Sequence, residues 1–125
     1  MERQSFLSET EKPRIVQELV PGKQITLAHI IANPDDILYT KLGLDPSEDH
    51  SYSAIGIITM TPSETAIIAA DIAIKASGAE IGFVDRFSGT LIVLGTVSQV
   101  DSAVKAVTDY TRQVLDFTVC PITKT

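Results

Sequence analysis

The hydrophobic and polar positions of this chain change period several times, and each change marks an element. After a polar, aperiodic opening over residues 1–12, the run Arg14-Ile15-Val16-Gln17-Glu18-Leu19-Val20 predicts a short strand, bounded by Pro13 and by the turn signal Pro21-Gly22. Gln24-Ile25-Thr26-Leu27-Ala28-His29-Ile30-Ile31 predicts a second strand, with Ile25, Leu27 and His29 sharing a face. Asn33-Pro34-Asp35-Asp36 reads as a helix start, with Asn33 as N-cap, Pro34 in the first helical position and acids where the dipole favours them. That helix is brief and stops at Leu42-Gly43; Leu44 to Ser53 reads as a polar loop.

From Ala54 onward the signals strengthen. Ala54-Ile55-Gly56-Ile57-Ile58-Thr59-Met60 is apolar on both faces, which predicts a central strand. Thr61-Pro62-Ser63-Glu64 predicts a capping box that opens an alanine-rich helix through Ala66, Ala69, Ala73 and Lys75, stopped by Gly78. So many small residues predict close contact with the helix's own sheet and with a neighbouring chain. Glu80 to Gly95 predicts a hairpin turning at Ser88-Gly89, its second strand (Leu91-Ile92-Val93-Leu94) interior to the sheet. On its first strand Ile81, Phe83 and Asp85 alternate with Gly82, Val84 and Arg86, so a charged pair, Asp85-Arg86, stands at a rigid tip. Ser98 to Asp101 predicts a second capping box, followed by the apolar stripe Val100, Ala103, Val104, Val107, Tyr110, Thr111, Val114. Phe117 to Cys120 predicts a last strand, held to an edge by Pro121. The order strand, helix, strand, strand, helix, strand predicts an α+β domain with an antiparallel, ferredoxin-like sheet and both helices on one face.

Composition narrows the function. A chain of 125 residues is one domain, and a net charge of −6 without a Lys/Arg cluster argues against a nucleic-acid partner. No run reaches the roughly 18 apolar residues of a membrane span, and the first residues lack the apolar core of a signal peptide. The single cysteine, Cys120, excludes an internal disulfide or a multi-cysteine zinc site and fits a reducing cytosol. His29 reads as a hydrogen-bonded structural histidine, His50 as a solvated loop residue and Cys120 as a small buried hydrophobe. No metal-ligand spacing, cofactor motif or nucleophile motif is present. The inventory points away from an enzyme and toward no cofactor and no metal.

Two long strings supply what the inventory does not. Val20-Pro21-Gly22-Lys23-Gln24-Ile25-Thr26-Leu27-Ala28-His29-Ile30-Ile31-Ala32 and Ile81-Gly82-Phe83-Val84-Asp85-Arg86-Phe87-Ser88-Gly89 together resemble the circularly permuted bacterial microcompartment (BMC) shell proteins of the PduU/EutS type. The opening Met1-Glu2-Arg3-Gln4 and the closing Cys120-Pro121-Ile122-Thr123-Lys124-Thr125 are similar to the PduU side of that family. The resemblance implies a tail over 1–12, a barrel strand over 13–20 and a permuted BMC domain over 21–125, in which residues 24–43 stand before the segments they follow in unpermuted relatives. It implies homohexamers that tile, with other shell proteins, the wall of a compartment in the bacterial cytoplasm, with encapsulated enzymes as further partners. It implies that Arg14, Ile15, Val16, Gln17, Glu18 and Leu19 join five copies of themselves in a β-barrel over the hexamer axis, which would remove the edges of a lone strand.

Lys75 matches the family's edge lysine at the seam between hexamers; a lysine complementing the dipole at a helix C-terminus is the other reading. Asp85, Arg86, Phe87, Ser88 and Gly89 match the loop facing the six-fold axis, and a link from Asp85 to a neighbour's Arg86 accounts for them equally well. A small-molecule-sensing α+β module, with its ligand between subunits, is the alternative from another functional class.

Overall fold

The computed structural model describes residues 22–44 and 52–125. The expected tail over 1–12, the barrel strand over 13–20 and residues 45–51 of the expected loop lie outside them. The elements are β1 (Gln24–Ala32), α1 (Asp36–Lys41), β2 (Ala54–Thr61), α2 (Thr65–Ala76), β3 (Glu80–Asp85), β4 (Thr90–Gly95), α3 (Val97–Gln113), β5 (Thr118–Val119) and β6 (Thr123–Lys124). They form one six-stranded sheet in the order β3-β4-β2-β1-β5, with β6 also on β1. The two interior strands read as doubly apolar, β2 and β4, are interior.

The sheet is not wholly antiparallel. β1, β2, β4 and β3 pair antiparallel, but β5 and β6 run parallel to β1. A parallel neighbour needs a crossover, and α3 supplies it. The single strand expected over Phe117 to Cys120 is instead two residues, Thr118–Val119, and β6 follows after Pro121.

Two face assignments are corrected for one reason. A register shift between Ile25 and Leu27 places Ile25, Ala28 and Ile30 in the core, with Leu27 40% exposed on the other face. A shift between Ile81 and Phe83 pairs Ile81 with Val93 and Val84 with Leu91, so those two share a face and Phe83 leaves it. A bulge adds one residue to one strand and reverses the alternation beyond it.

Of the two expected capping boxes, one is displaced and the other does not form. The box on α3 is made by Thr96 and Gln99: Gln99 N–H donates to Thr96 Oγ1 (3.1 Å) and Thr96 N–H to Gln99 Oε1 (2.9 Å). On α2 no side chain caps; Thr61 ends β2, and the Pro62 and Ser63 carbonyls accept from Thr65 and Ala66 N–H. α1 is capped by Asp35, which accepts from Ile37 N–H at 3.1 Å, not by Asn33, whose φ is +51°. Its stop at Leu42-Gly43 is as expected, with Gly43 at φ +71°.

α2 and α3 pack on one face of the sheet. Ala66, Ala69 and Ala73 turn inward, and Val100, Ala103, Val104 and Val107 lie fully buried over β2 and β4. Each such valine contributes roughly 1.5–3 kcal/mol by leaving water. Tyr110 and Val114 fall outside the stripe, at 43% and 59% exposure, and Thr108 takes the inward place. The opposite face carries a smaller cluster, Tyr39, Leu44, Ile55 and Leu94, under α1. There the Tyr52 hydroxyl donates to Glu80, and burial foremost, then that carboxylate, pushes the Tyr52 pKa up to about 12.

Candidate functional site: the hairpin turn and the outer side of α2

The β3–β4 turn is built by its own side chains. Asp85 Oδ1 accepts from Phe87 N–H at 2.9 Å, Asp85 Oδ2 accepts from the Ser88 hydroxyl at 2.8 Å, and Gly89 N–H returns to the Asp85 carbonyl at 2.9 Å. Gly89 sits at φ +74°, where a side chain would be strained, and its carbonyl accepts from Met60 N–H at 2.9 Å. The turn is thereby tied to the end of β2 and the entry to α2. Donation from Phe87 N–H, then from Ser88, holds the Asp85 carboxyl below the usual carboxylate range.

A carboxylate with a depressed folded pKa stabilises the fold above its unfolded value, about 4, and that contribution is lost as pH falls through the folded value. Asp85→Ala is therefore expected to lower the melting temperature at pH 7. In melts taken from pH 7 to pH 2 the gap to the parent should narrow below pH ~4; a gap independent of pH would contradict this origin.

At the tip the Arg86 charge adds, as the smallest of the causes, to the lowering of the Asp85 carboxyl. Arg86 lies over the ring of Phe87, 4.7 Å from its centroid, while Phe87 itself is 78% exposed. Lys75 is at the far end of α2, its Nζ 2.8 Å from Asp71 one turn earlier. It rims a groove of about 320 Å³ between α2 and α3, lined by Ile72, Ala76, Ala106 and Tyr110. At 1.5 Å per residue, Thr65 and Lys75 are about 15 Å apart. The two sequence-selected sites, turn and lysine, therefore stand at opposite ends of one helix.

Between them runs a feature that the alanine pattern hid. With alanines inward, α2 turns Ile67, Ile68 and Ile74 outward at 53%, 47% and 55% exposure. Ile67, Asp71, Ile74 and Lys75 form one stripe at i, i+4, i+7 and i+8. The adjoining strand β3 is an edge of the sheet and exposes Phe83 and Val84. The large apolar side chains that α2 offers outward are thus isoleucines, with Ala76 exposed at its end. The sequence signal was present in the Ile67/Ile74 spacing.

The remaining candidates are structural. His29 Nδ1 lies 2.6 Å from Thr123 Oγ1 and Nε2 lies 2.9 Å from Thr125 Oγ1, which pins β6 to β1. Cys120 is half-buried, its N–H donating to the Ile25 carbonyl at 3.3 Å. His50 lies outside the described residues. Among the described residues no group of three His, Cys, Asp or Glu could hold a metal ion, and no helix is long and apolar enough to cross a membrane.

The sequence pattern of the BMC domain matches residues 54–123, from the start of β2 to the C-terminal strand. The chain belongs to the BMC-domain family. It is 54% identical over 112 residues to the bacterial microcompartment shell protein PduU of Salmonella typhimurium (strain LT2), covering 90% of this chain and 93% of the relative. To the shell protein EutS of the same organism it is 50% identical over 113 residues, covering 90% and 97%. Among solved structures, a CutR flat hexamer is similar at a TM-score of 0.77 and 47% identity, covering 90% of this chain and all of that one.

Proposed function

We propose that this chain is a shell protein of a bacterial microcompartment in the cytoplasm, acting as a homohexameric tile in a wall shared with other shell proteins around a set of enzymes. The observation that carries the reading is its likeness, over nearly the whole chain, to the subunit of a flat hexamer. The surface is consistent with it: a closed ring needs a contact offered to a different surface of the next copy, and the isoleucine stripe of α2 beside β3, the edge strand among the described residues, is such a surface. In this reading the turn at Asp85–Gly89 faces the six-fold axis, Lys75 faces the perimeter, and α2 spans the distance between. The domain is a circular permutation: the family pattern begins at β2, yet β1, which precedes it, lies inside the sheet between β2 and β5. The strand over residues 13–20 closes a six-fold barrel over the axis. The sensing alternative draws no support from these relatives, and their role as shell proteins favours a tile over an enzyme.

Light scattering on the full chain should give six times the protomer mass, and a stable monomer would end the reading. Lys75→Ala tests the perimeter separately. The exposed Lys75–Asp71 pair is worth at most a few tenths of a kcal/mol, so stability and hexamer mass should be unchanged. Extended sheets in electron micrographs should be lost; sheets formed as readily as by the parent would move Lys75 away from the seam.

A further inference from the structure

Two very short strands cover the outer edge of a long one. β1 has nine residues and pairs with β2 along its length, while its other edge meets only β5 and β6, of two residues each. β5 lies against Gln24 and Ile25, and β6 against His29 and Ile30. Beside them Cys120 N–H donates to the Ile25 carbonyl at 3.3 Å, Thr125 N–H to the Ile30 carbonyl at 2.9 Å, and Ala32 N–H to the Thr125 carbonyl at 2.9 Å. Burial does not hold this cover in place: Pro121, Thr123, Lys124 and Thr125 are exposed, and Ile122 is half-buried against the core. Polar side chains do. Thr123 and Thr125, two residues apart and so on one face, straddle the His29 ring, with Nδ1 2.6 Å from one hydroxyl and Nε2 2.9 Å from the other. A neutral imidazole offers one donor and one acceptor, and a hydroxyl answers either, so both nitrogens are satisfied at once. Lys124, on the opposite face, reaches Asp101 of α3 at 3.7 Å.

We propose that residues 121–125 are a guard strap: clamped by His29 and Asp101, they close the outer edge of β1 against pairing with β1 of a second copy. A bare strand edge is a row of unpaired N–H and C=O groups that templates another strand. Here the bared groups would include the Ile30 carbonyl and the Ala32 N–H. The strand that carries them is held extended, because its Ile25, Ala28 and Ile30 side chains lie in the core. The same edge of another copy is its matching partner, since two such strands meet antiparallel about a two-fold axis and each satisfies the other. The strap does not pass the problem outward: Pro121 has no N–H, and the strands on either side of it are two residues long. The clamp therefore confines self-association to other surfaces of the subunit, and it does so whether or not those surfaces close a ring of six.

The test compares the full chain with two variants at one protomer concentration. Thr123→Val with Thr125→Val keeps the backbone and removes both hydroxyls. Amide hydrogen exchange at Ala32 should quicken at least about tenfold, while exchange at Ile58, in the interior strand β2, stays that of the parent. A chain shortened by residues 123–125 should show about twice the parent's mass or more by light scattering, rising with concentration, with unchanged far-ultraviolet circular dichroism. A synthetic peptide of residues 121–125, in excess, should return that mass to the parent's; the same peptide with valine at both threonine positions should not. Unchanged exchange at Ala32, or a shortened chain of the parent's mass, overturns the strap. A larger mass that the peptide leaves in place means association elsewhere and overturns the edge assignment. If shortening unfolds the chain, the valine pair carries the mass test too: its mass should exceed the parent's, and equality overturns the proposal.

Discussion

Gly89→Ala is expected to be the most damaging single-methyl change in the hairpin, costing about 2–4 kcal/mol. Two independent terms add. Gly89 has φ +74°, and a residue with a Cβ loses about 1–2 kcal/mol in that region. The new methyl would also strike the Met60 carbonyl oxygen and come within 3.0 Å of Ser63 Cα. Both are backbone atoms, so no side chain can swing away; the end of β2 and the entry to α2 must move. Gly43→Ala is the control, because it has the same sign of φ (+71°) and nothing within 4 Å of its added methyl. It should lose only the conformational term, about 1 kcal/mol. Urea unfolding of both variants at one protomer concentration, which holds the assembly contribution fixed, measures the difference. Equal losses would mean that the close approach of the turn to β2 carries no energy.

The same glycine shows how far local chemistry reaches. Ser88-Gly89 is a turn by its own chemistry, and the hairpin, the two interior strands and the order of elements from Ala54 through α3 are legible because each rests on neighbours in sequence. What was not legible depends on partners distant in sequence. Nothing in Gln24 to Ile31 announces a bulge: the shift after Ile25 arises from pairing with Met60 and Thr59 across the sheet, and it moves Leu27 from the core to the surface. Tyr110 and Val114 follow the three- and four-residue steps, but Thr108 and Thr111, 2% and 0% exposed, take the inward face of the last turns of α3 and leave those two side chains on its flank. The α3 cap is the exception: Thr96-x-x-Gln99 is a local signal, two residues before Ser98, in which Gln99 serves as well as an acid would. In the site, the turn and Lys75 were visible as a motif and a residue. Their placement at opposite ends of α2, and the turning of Asp85 onto its own loop rather than onto Arg86, required the backbone.

The isoleucine stripe of α2 carries the second large expected effect: Ile67→Asp with Ile74→Asp should convert hexamers to folded monomers. In the isolated subunit both side chains are about half exposed, so replacing them removes little burial, and surface substitutions of this kind stay within about ±0.5 kcal/mol each. In the ring each aspartate would place a carboxylate against the apolar surface of the next copy. Burying an unpaired charge costs several kcal/mol, and closure repeats that cost at all six contacts. Light scattering should therefore report the protomer mass, while circular dichroism in the far ultraviolet stays that of the parent. Lys105→Asp, a charge change of comparable size on the exposed side of α3, should leave the hexamer intact, since among the described residues Lys105 pairs with Asp101 of its own helix and lies off the isoleucine stripe. A double variant that remains hexameric would show that the stripe faces solvent or the seam between tiles. The ring contact would then have to be sought along β3, the edge strand of the sheet among the described residues, where Phe83 and Val84 are also exposed.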